Sequence, residues 1–598
     1  MKNNNMTHIF SLKWSRRSQK IRPLATACLA LNLFAEPASR GAYPRNPSGT
    51  VGAVSADHEL ASQAGAEILS QGGNAVDAAI ATALSLGVVQ PAGSGLGGGG
   101  FLLYRKADGL VVSLDFREVA PRRAHKHMFM DAATGQVVPQ RSRLGGLAIG
   151  VPGEAAGFAY ALKQWGRLGT AQVVLPALRF AEQGFSVGAH LAKTAELTVP
   201  KLEPDHLLRA FLSPGGQPIA VGQIATRKNL AWTLRTLGQE GFSAFYKTDP
   251  GSIGEDLVAA ARQAGGILEP EDLKQYTPIV RKPLTGRYRN HQVFTIPPPA
   301  GGLSALEALH ILDARPPFSQ GPGASATLHE TIEALKHAFA DRIKLHGDPA
   351  FTNIPLAELS SAGYARDRAA TIQPDRVLQP SQYGRKSEAK PVSAPRDKGT
   401  THLCVIDRDG NAVALTTTVN LAFGARVVGA RSGVFLNNQM DDFSAKPAVG
   451  NAFGLVGDEA NAVAAGKRPA SSMTPLIAVA PDGRVMCVGG SGGPTIVTAV
   501  VQTVIHLVDF GMQPEAAVSS PRIHAQFIPD VVLTEPEIPF DVREKLAQRG
   551  HKLVVTPAPL ENAVQVVVYR PASDGKPAHF GASADPRKGG KPAFAKPQ

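Results

Sequence analysis

One stretch of β-forming sequence with a single turn inside it, TTHLCVIDRDGNAVALTTTVN at 400–420, constrains the fold more than any other part of the chain. Two apolar runs flank the pair Asp409-Gly410, and an Asp-Gly pair between such runs is a strong signal for a β-hairpin. The first run opens with a glycine and two adjacent threonines. A turn needs the glycine but gives no reason for the threonines.

The register of this hairpin decides which side chains meet at its open end. Pairing Arg408 with Asn411 places Thr401 opposite Thr418. A bulge of one residue would place Thr418 directly beside Thr400 instead. The pattern therefore predicts that two threonine hydroxyls lie together at the end of the hairpin.

Thr400 is a candidate nucleophile if the chain is cut just before it. A threonine at a new chain terminus carries its own base, because an α-amino group titrates near ~7.7–8.0. Gly399 has no side chain that could block the carbonyl that Thr400 would attack. The residues alone favour two ordinary β-sheet threonines, and a nucleophilic Thr400 needs further support at this point.

A second candidate nucleophile is Ser491, inside a G-x-S-x-G pattern at 489–493. The pattern follows a predicted strand and precedes a predicted helix, which is the setting of the nucleophile elbow in α/β-hydrolases. Only 107 residues follow Ser491, however, and no cap-domain pattern explains the long segment before it. The same loop could offer backbone N–H groups to an oxyanion made by another nucleophile. Partners for a serine mechanism would come from Asp509, Asp530, His506, His524 and His551.

The first 42 residues read as an export signal. Six basic residues precede the apolar stretch at 24–35, which is too short to span a bilayer. This segment holds seven Lys and Arg and one acidic residue, so the rest of the chain carries about +7 of the formal +13. No long basic run or aromatic-interleaved patch points to nucleic acid. The predicted location is periplasmic or secreted, with no membrane span in the mature protein.

The rest of the chain mixes helices and strands. A strand and then two helices broken at Gly72-Gly73 are predicted over 49–91, and 150–345 reads as mostly helical. The polar, Pro- and Lys-rich segment 378–399 is predicted to be an exposed connector. The basic, Pro-rich end of the tail FGASADPRKGGKPAFAKPQ is predicted to be disordered and to have no part in the chemistry.

Cysteine and histidine usage predicts no metal or cofactor site. Cys404 and Cys487 follow the leader, both inside apolar, strand-like sequence. Structural thiols are the first interpretation, and a disulfide between them stays open. The 16 histidines are scattered, with no HExxH and no CxxC pattern.

Ten segments taken together resemble the γ-glutamyltransferases (γ-glutamyltranspeptidases), which are N-terminal nucleophile hydrolases. They are GGNAVDAAIATALSLGVVQP, GLGGGGFLLYR, DFREVAP, GVPGEAAG, PPPAGG, ADRIKLHGDP, GTTHLCVIDRDGNAVALTTTVN, SGVFLNNQMDDFS, KRPASSMTP and GGSGG. The resemblance implies an α+β fold, a four-layer αββα sandwich. It also implies that the precursor cuts itself into a large subunit, 43–399, and a small catalytic subunit, 400–598, which stay together as a heterodimer.

The resemblance also implies roles for residues inside these motifs. Thr400 in TTH would be the nucleophile, and Thr418 in TTTVN would hydrogen-bond to it. The other implied site residues are Arg117, Ser471 and Ser472 for a glutamyl α-carboxylate, Asn420, Gln439 and Asp442 for the α-ammonium, and the backbone of Gly492 and Gly493 for the oxyanion. A guanidinium suits the first role because its planar fork meets both carboxylate oxygens.

The implied reaction is cleavage of γ-glutamyl amides, glutathione above all, through an ester on Thr400. Water, an amino acid or a dipeptide would then resolve the ester, and no metal or cofactor is implied. The alternatives are a glutaryl-type β-lactam acylase of the same family, a cleaved non-enzymatic exported protein, and a serine hydrolase that uses Ser491. Glutaryl substrates lack the α-ammonium, so the presence of Asp442 with Asn420 and Gln439 favours glutamyl.

Two departures from the family pattern bear on these expectations. The segment after DDFSAKP is full length, which implies the lid loop that bacterial relatives fold over the site. Phe453 stands where some relatives have a gating tyrosine, and its lack of a hydroxyl would remove a possible hydrogen bond to Asn420. The tail also carries one inserted residue in the usual GA-DPR pattern.

Overall fold

The structure of the protein is a computed structural model that describes residues 50–385, 399–447, 449–573 and 575–597. The predicted leader, 1–42, and most of the predicted connector lie outside these residues, so both stay predictions. The described residues all belong to one unit, which includes both predicted subunits.

The described residues form twenty strands and seventeen α-helices. The strands are β1 (Gly52–Ala56), β2 (Gly99–Arg105), β3 (Val111–Phe116), β4 (Phe185–Ser186), β5 (Ile224–Ala225), β6 (Ile279–Arg281), β7 (Leu284–Tyr288), β8 (His291–Thr295), β9 (Thr401–Asp407), β10 (Ala412–Thr418), β11 (Val427–Val428), β12 (Phe435–Leu436), β13 (Leu476–Val479), β14 (Val485–Ser491), β15 (Ile523–His524), β16 (Val532–Thr534), β17 (Leu553–Val555), β18 (Ala563–Arg570), β19 (His579–Ala584) and β20 (Ala593–Phe594). The helices are α1 (Glu59–Ser70), α2 (Ala75–Val89), α3 (Pro139–Arg143), α4 (Glu154–Trp165), α5 (Thr170–Gln183), α6 (Ala189–Thr198), α7 (Leu207–Leu212), α8 (Lys228–Glu240), α9 (Ile253–Gln263), α10 (Pro270–Gln275), α11 (Gly302–Asp313), α12 (Ser325–Leu345), α13 (Leu356–Leu359), α14 (Ala362–Thr371), α15 (Thr495–Val508), α16 (Pro514–Ser519) and α17 (Phe540–Gln548).

Two large antiparallel sheets lie at the centre of the fold. One has seven strands in the order β20-β1-β9-β10-β2-β3-β6, and the other has six in the order β19-β18-β14-β13-β8-β7. Segments before and after Gly399 contribute strands to both sheets. A cut after Gly399 would therefore leave the two pieces joined by backbone hydrogen bonds between neighbouring strands.

Helices cover the outer face of each sheet, so the molecule has four layers. α1, α2 and α5 share one hydrophobic core with the seven-stranded sheet, whereas α11, α12 and α15 pack into a second core with the other sheet. Strand β9 shows the alternation, because Leu403 and Val405 enter the first core and Cys404 and Ile406 the second. The predicted α+β fold with an αββα sandwich is confirmed.

The helical predictions are confirmed. α1 and α2 are separated at Gly72-Gly73, where Gly72 has a φ of +89°. Asn74 caps α2, because its side chain accepts hydrogen bonds from backbone N–H groups of the first turn. Helices α4 to α12 lie within 150–345. None of the described helices has the length and hydropathy needed to cross a bilayer.

The hairpin predicted over 400–420 is formed by β9 and β10, but its register differs by one residue from the predicted one. Ile406 pairs with Ala412, and Thr401 pairs with Thr417 rather than with Thr418. In this register the next two residues beyond Thr401 and Thr417 are Thr400 and Thr418, and no bulge is needed to bring them together.

The shift in register has its cause in the turn. The N–H of Asp407, not that of Arg408, donates to the carbonyl of Asn411, at 3.1 Å. The loop therefore has three residues, and the last of them, Gly410, has a φ of +83°. Glycine adopts this left-handed conformation without strain, as three-residue hairpin loops require. The predicted pairing of Arg408 with Asn411 is wrong.

The tail over 575–597 forms defined structure, so the prediction of a disordered tail is wrong. Strand β20 pairs with β1 at the edge of the seven-stranded sheet. Before it, Asp585 lies 2.7 Å from the buried guanidinium of Arg522, and Arg587 lies 2.5 Å from Glu535. The basic composition suggested a solvated tail, whereas these charges are paired inside the protein.

The two cysteines that follow the leader are both buried and free. The Sγ of Cys487 lies 3.2 Å from the carbonyl oxygen of Val413. Their interpretation as structural thiols is confirmed, and the disulfide is not formed.

Candidate active site

The open end of the β9–β10 hairpin brings two hydroxyl groups together. Thr400 Oγ1 lies 2.9 Å from Thr418 Oγ1, and either hydroxyl can donate to the other. The backbone N–H of Asn420 donates to Thr418 Oγ1 at 2.8 Å. The predicted pair of threonine hydroxyls is confirmed, with Thr400 and Thr418 as its members.

The backbone at Thr400 is strained and closely packed. Its φ is +70°, a conformation that costs a β-branched residue about 1–3 kcal/mol. The Thr400 N–H donates to the carbonyl of Gly93 at 3.0 Å. A Cβ on Gly399 would lie 1.6 Å from the carbonyl oxygen of Asn420, so only glycine fits there. Strain and tight packing thus coincide at the Gly399–Thr400 peptide.

The three consecutive threonines of β10 point alternately to its two faces. Thr416 and Thr418 share one face, and Thr416 Oγ1 lies 2.8 Å from His402 Nδ1. Thr417 lies on the other face, where its hydroxyl donates to Glu154. Burial raises the pKa of Glu154 to about 8. Only Thr418 of the three therefore contacts Thr400.

The glycine loop after β14 borders the same site. Gly493 lines one cavity together with Thr400. Gly492 has a φ of +129°, and a Cβ there would lie 2.6 Å from the Cβ of Asn562. Among the described residues, neither the N–H of Gly492 nor that of Gly493 has a hydrogen-bond acceptor. Two such N–H groups at the start of α15 are suited to hold an oxyanion.

Ser491 lies in this loop but not in the cavity wall. It is fully buried, donates to Asp57 Oδ2 at 2.8 Å and accepts from Lys588 Nζ at 2.9 Å. None of the candidate histidines contacts it: His506 bonds to a backbone carbonyl and His524 to Thr498 and Gln526. Without access or a base, Ser491 does not have the surroundings of a serine nucleophile.

A buried ion pair also lines the cavity. Arg117 Nη2 lies 2.5 Å from Asp442 Oδ2 and also donates to the carbonyl of Ala470 at 3.1 Å. Arg117 Nε donates to the carbonyl of Pro469 at 3.3 Å. Burial raises the pKa of Asp442, and the adjacent Arg117 partly offsets that effect. One cation and one anion thus lie side by side in the cavity wall.

Asp442 and its neighbour Asp441 have separate contacts. Gln439 Nε2 donates to Asp442 Oδ2 at 2.7 Å, while the buried Gln439 Oε1 has no hydrogen-bond donor in the described part of the chain. Asp441 instead accepts from the hydroxyl of Ser142 at 2.5 Å and from the N–H of Ala452 at 2.8 Å. Asp442 therefore faces the cavity, and Asp441 anchors the loop that follows.

Ser471 and Ser472 line the cavity beside the ion pair and are held by an arginine that the sequence analysis missed. Arg342 on α12 donates from Nη1 to the Ser471 carbonyl at 3.0 Å and from Nη2 to Ser472 Oγ at 3.2 Å. Burial lowers the pKa of Arg342 to about 10, so its guanidinium is charged at neutral pH. Its segment, ADRIKLHGDP, is one of the ten that carry the family resemblance, but the sequence analysis predicted only a helix there and gave the arginine no role. With Arg117, it places two guanidinium groups in the same cavity wall as Asp442, and Glu118 lies 3.6 Å from Arg117 as a second carboxyl.

A loop at 444–462 covers the cavity, as the resemblance implies. Phe453 and Leu455 of this loop line the cavity together with Asn420. The Asn420 side chain donates to the carbonyl of Asn438 at 3.0 Å. Phe453 is almost fully buried, and its ring offers no hydrogen bond to Asn420. The lid is therefore present, and it is held by the packing of Phe453 together with hydrogen bonds from Ala452 to Asp441 at 2.8 Å and from Asn451 to Asp442 at 3.4 Å.

Nine of the ten predicted site residues line this one cavity, and the tenth, Gly492, lies next to Gly493 in the adjoining loop. The space not occupied by atoms is about 630 Å³, open solvent at the cavity mouth included. Apart from the lid loop and Ile496, the residues of its wall belong to segments on which the resemblance rests. A family profile described as Gamma-glutamyltranspeptidase matches residues 61–595.

The chain belongs to the gamma-glutamyltranspeptidase family. A protein named "Glutathione hydrolase proenzyme" from Escherichia coli (strain K12) is 39% identical over 539 residues, which is 90% of this chain and 90% of that protein. The family resemblance stated from the sequence is thereby confirmed.

Solved structures agree with membership of the gamma-glutamyltranspeptidase family. A cephalosporin acylase from Bacillus halodurans is 29% identical, with a TM-score of 0.77 over 93% of this chain and 98% of that chain. The gamma-glutamyltranspeptidase of Helicobacter pylori is 37% identical, with a TM-score of 0.52 over 55% of this chain and 93% of that chain.

Among the described residues, this gamma-glutamyltranspeptidase-family chain has one buried group of potential metal ligands outside the cavity, His329, Glu333 and His551. His329 Nδ1 lies 2.7 Å from His551 Nε2, and Glu333 accepts from the Tyr383 hydroxyl at 2.7 Å. The ammonium of Lys336 lies 5.4 Å from the centre of the Tyr383 ring. The two histidines bond to each other, Glu333 bonds to Tyr383, and Lys336 supplies a positive charge nearby. We therefore interpret the three residues as part of the packed interior and not as a metal site.

Proposed function

We propose that the protein is a γ-glutamyltransferase and glutathione hydrolase that uses Thr400 as an N-terminal nucleophile. The observation that carries the proposal is that the ion pair of Arg117 and Asp442 lines the same cavity as the hydroxyl pair of Thr400 and Thr418. An α-amino acid group has a carboxylate and an ammonium on one carbon, so it complements two adjacent opposite charges. A glutamyl group held there would present its γ-amide to the hydroxyl pair.

The α-carboxylate would bind Arg117 and the hydroxyls of Ser471 and Ser472. Arg117 and Arg342 are both cationic, and Glu118, the second carboxyl beside Arg117, is partly protonated at neutral pH because burial raises its pKa to about 7. The negative charge near the two guanidinium groups is therefore incomplete, which favours an added anion beside them. A guanidinium binds both oxygens of a carboxylate at once, which fixes the orientation of the ligand.

The α-ammonium would bind Asp442, Gln439 and Asn420. Gln439 Oε1 is buried without a donor, and an ammonium has three N–H donors to offer. A ligand with an ammonium at this position would satisfy that oxygen, whereas a ligand without one would leave it unpaired.

Maturation would use the same hydroxyl. Thr400 Oγ1 attacks the carbonyl carbon of Gly399, the bond from that carbon to the Thr400 nitrogen breaks, and the nitrogen takes a proton. Water then hydrolyses the resulting ester to give a Gly399 carboxylate and a free threonine. The positive φ of Thr400 raises the energy of the uncut chain, which favours this step. The products would be the subunits 43–399 and 400–598, held together by the shared sheets.

In the mature enzyme, the α-amine of Thr400 takes the proton of its own hydroxyl as Oγ1 attacks the γ-carbonyl. The oxyanion is held by the N–H groups of Gly492 and Gly493, and Thr418 orients the nucleophile. With glutathione, the proton passes to the leaving nitrogen and cysteinylglycine departs. Water then gives glutamate, or an amino acid or dipeptide acceptor gives a new γ-glutamyl product.

Two observations outside the cavity support the proposed substrate and the proposed location of the enzyme. The E. coli relative is named a glutathione hydrolase proenzyme, which supports glutathione as a substrate and a precursor that is cut. The leader at 1–42 supports a periplasmic or secreted enzyme.

A glutaryl-type β-lactam acylase is the second candidate, because a cephalosporin acylase matches 93% of this chain. A glutaryl group has the same carbonyl but no ammonium, so Gln439 Oε1 would stay unpaired. Leaving such a buried acceptor without a donor costs about 1–3 kcal/mol. The cavity therefore favours γ-glutamyl over glutaryl by roughly ten- to a hundredfold.

The test compares hydrolysis of γ-glutamyl and glutaryl p-nitroanilides by the wild type and by Asp442→Asn. We expect the wild type to prefer the γ-glutamyl compound. Asp442→Asn should lower kcat/KM for it by about 30-fold or more, because a buried charge loses its partner. Asp482→Asn, in an exposed turn, is the matched control and should behave as the wild type. A wild-type preference for the glutaryl compound would overturn the proposal.

A further inference from the structure

We propose that Lys588 is a catalytic residue of maturation, whose ammonium binds the oxyanion that forms on the carbonyl oxygen of Gly399. This inference rests on the proposed cleavage between Gly399 and Thr400. Lys588 belongs to the tail segment DPRKGG, which the sequence analysis expected to have no part in the chemistry.

The contacts of Lys588 point at the peptide to be cut. Its Nζ donates to the Gly399 carbonyl at 3.4 Å, to the Thr400 carbonyl at 3.2 Å and to Ser491 Oγ at 2.9 Å. These contacts use the three N–H bonds of the ammonium. Only 6% of the Lys588 residue is exposed, so water competes little for them.

The carboxylate of Asp57, which balances the charge of Lys588, accepts its hydrogen bonds from other donors. Asp57 Oδ2 accepts from Ser491 at 2.8 Å, and Asp57 Oδ1 accepts from Gln565 at 2.6 Å. Lys588 Nζ is 3.9 Å from Asp57, farther than from either carbonyl. The carboxylate thus balances the buried cation without drawing it away from the Gly399–Thr400 peptide. A buried cation also acts on a developing oxyanion more strongly than it would in water.

The backbone that carries Lys588 is fixed from both sides. The ion pairs of Asp585 with Arg522 and of Arg587 with Glu535 precede it. After it, a Cβ on Gly590 would lie 2.4 Å from the carbonyl oxygen of Ala56, so the tail packs directly on the end of β1. Such fixed positions are what a preorganised oxyanion partner requires.

The two reactions of Thr400 would then use different oxyanion partners. Neither Gly399 nor Lys588 lines the substrate cavity, whereas Gly493 does. Ser491 lies between the two sites, because its side chain contacts Lys588 and its backbone leads into Gly492. This arrangement also accounts for the serine of the G-x-S-x-G pattern, which has no nucleophilic role.

The charges in the step balance as follows. Attack by Thr400 Oγ1 moves an electron pair of the carbonyl onto the Gly399 oxygen, and the ammonium of Lys588 binds that oxygen while keeping its proton. Collapse expels the Thr400 nitrogen, which takes the proton lost by the hydroxyl. Water then hydrolyses the ester that remains.

The experiment follows the release of residues 400–598 from freshly synthesised full-length chain by intact mass. Lys588→Met should slow release by about 100-fold or more, the usual effect of removing one oxyanion donor. Lys588→Arg, which keeps a cation, should be slowed less. Lys591→Met is the matched control, because Lys591 is exposed and pairs only with Glu59. A release rate of Lys588→Met equal to that of Lys591→Met would overturn the inference.

Loss of Lys588 leaves Asp57 buried without its cation, so folding needs its own control. The double variant Asp57→Asn, Lys588→Met removes both charges, and its release rate is measured on the folded fraction isolated by size exclusion. Slow release from this fraction supports the inference, and release at the wild-type rate overturns it. A wild type that is never cut would contradict the proposed function instead, which separates the two failures.

Discussion

The two sides of the Gly399–Thr400 peptide differ in how far their polar groups are satisfied. On the cavity side, Gln439 Oε1 and the N–H of Gly493 have no partner among the described residues. On the buried side, Lys588 donates to three acceptors within 3.4 Å. Because unpaired buried groups are costly, the two that border the cavity are expected to bind a ligand there. The ammonium of Lys588, whose donors are all used, instead contacts the Gly399–Thr400 peptide of the protein itself.

The same comparison separates the two candidate nucleophiles. Thr400 and Ser491 both stand at strand ends next to glycines, and both are buried. Thr400 lines a cavity and its hydroxyl bonds to that of Thr418, whereas the Ser491 hydroxyl lies between a carboxylate and an ammonium. Access to a ligand, rather than the local motif, decides between them.

The largest effect is expected where both sides meet, at Thr400. Thr400→Ala should abolish both chain cleavage and hydrolysis, by at least about 10⁴-fold, because both reactions need the hydroxyl. Thr400→Ser keeps a hydroxyl and should retain part of each activity. Intact mass and γ-glutamyl anilide hydrolysis measure the two. Cleavage of Thr400→Ala at the wild-type rate would show that another group cuts the chain.

Gly399→Ala should act on maturation alone, since Gly399 leaves with the large subunit. A Cβ there meets the Asn420 carbonyl oxygen at 1.6 Å, so the backbone must shift. A shift of that size at a reacting carbonyl is expected to slow cleavage by about 100-fold. Gly238→Ala, where the nearest atom would be 3.8 Å away, is the matched control. Equal cleavage rates for the two variants would show that this packing does not matter.

Phe453→Tyr should have a small effect confined to the cavity side. The added hydroxyl can reach toward Asn420, so it should change the ratio of transfer to hydrolysis by no more than about fivefold, the worth of one hydrogen bond. Cleavage of the precursor should not change. Phe540→Tyr, at an exposed position, is the control. Altered precursor cleavage in Phe453→Tyr would mean that the lid acts on both sides of the peptide.

Glu154→Gln should leave both reactions unchanged and alter only stability. Burial raises the folded-state pKa of Glu154 from 4.5 to about 8. The folded state therefore holds the proton more tightly, and this stabilisation is lost as the pH rises through about 8. Glutamine does not titrate, so the Tm of the wild type should fall relative to that of Glu154→Gln between pH 5 and pH 9.

The control for this pH dependence is Glu203→Gln, at an exposed position. Its Tm should follow that of the wild type across the same range. A constant difference in Tm between the wild type and Glu154→Gln would show that Glu154 does not titrate in this range.

Local pattern and resemblance predicted much of this molecule. The alternation around Asp409-Gly410 predicted the hairpin and the pair of threonine hydroxyls. The register was wrong by one residue, because an Asp-Gly pair fits both two- and three-residue loops and only the paired strands choose between them. The positions of Arg117 and Asp442 came from matched motifs, since no local pattern relates residues so far apart in sequence.

The residues that were missed are buried charges. Arg342 is one polar residue of a long helix, and nothing in its neighbours shows that it holds Ser471 and Ser472. Lys588 stands in a basic tail whose composition suggests exposure to solvent. Its contacts with Gly399 and Ser491 join parts of the chain about 190 and 100 residues away, respectively, and such contacts appear only in the folded structure.

The central claim is that Thr400 becomes a chain terminus, and one measurement tests it most directly. Purified wild-type protein is analysed by intact mass together with N-terminal sequencing of any fragment. We predict two associated fragments, the smaller of which begins Thr-Thr-His-Leu and ends with the chain. A folded wild-type sample that consists of one uncut chain would contradict the account, because Thr400 would then have no α-amine to act as its base.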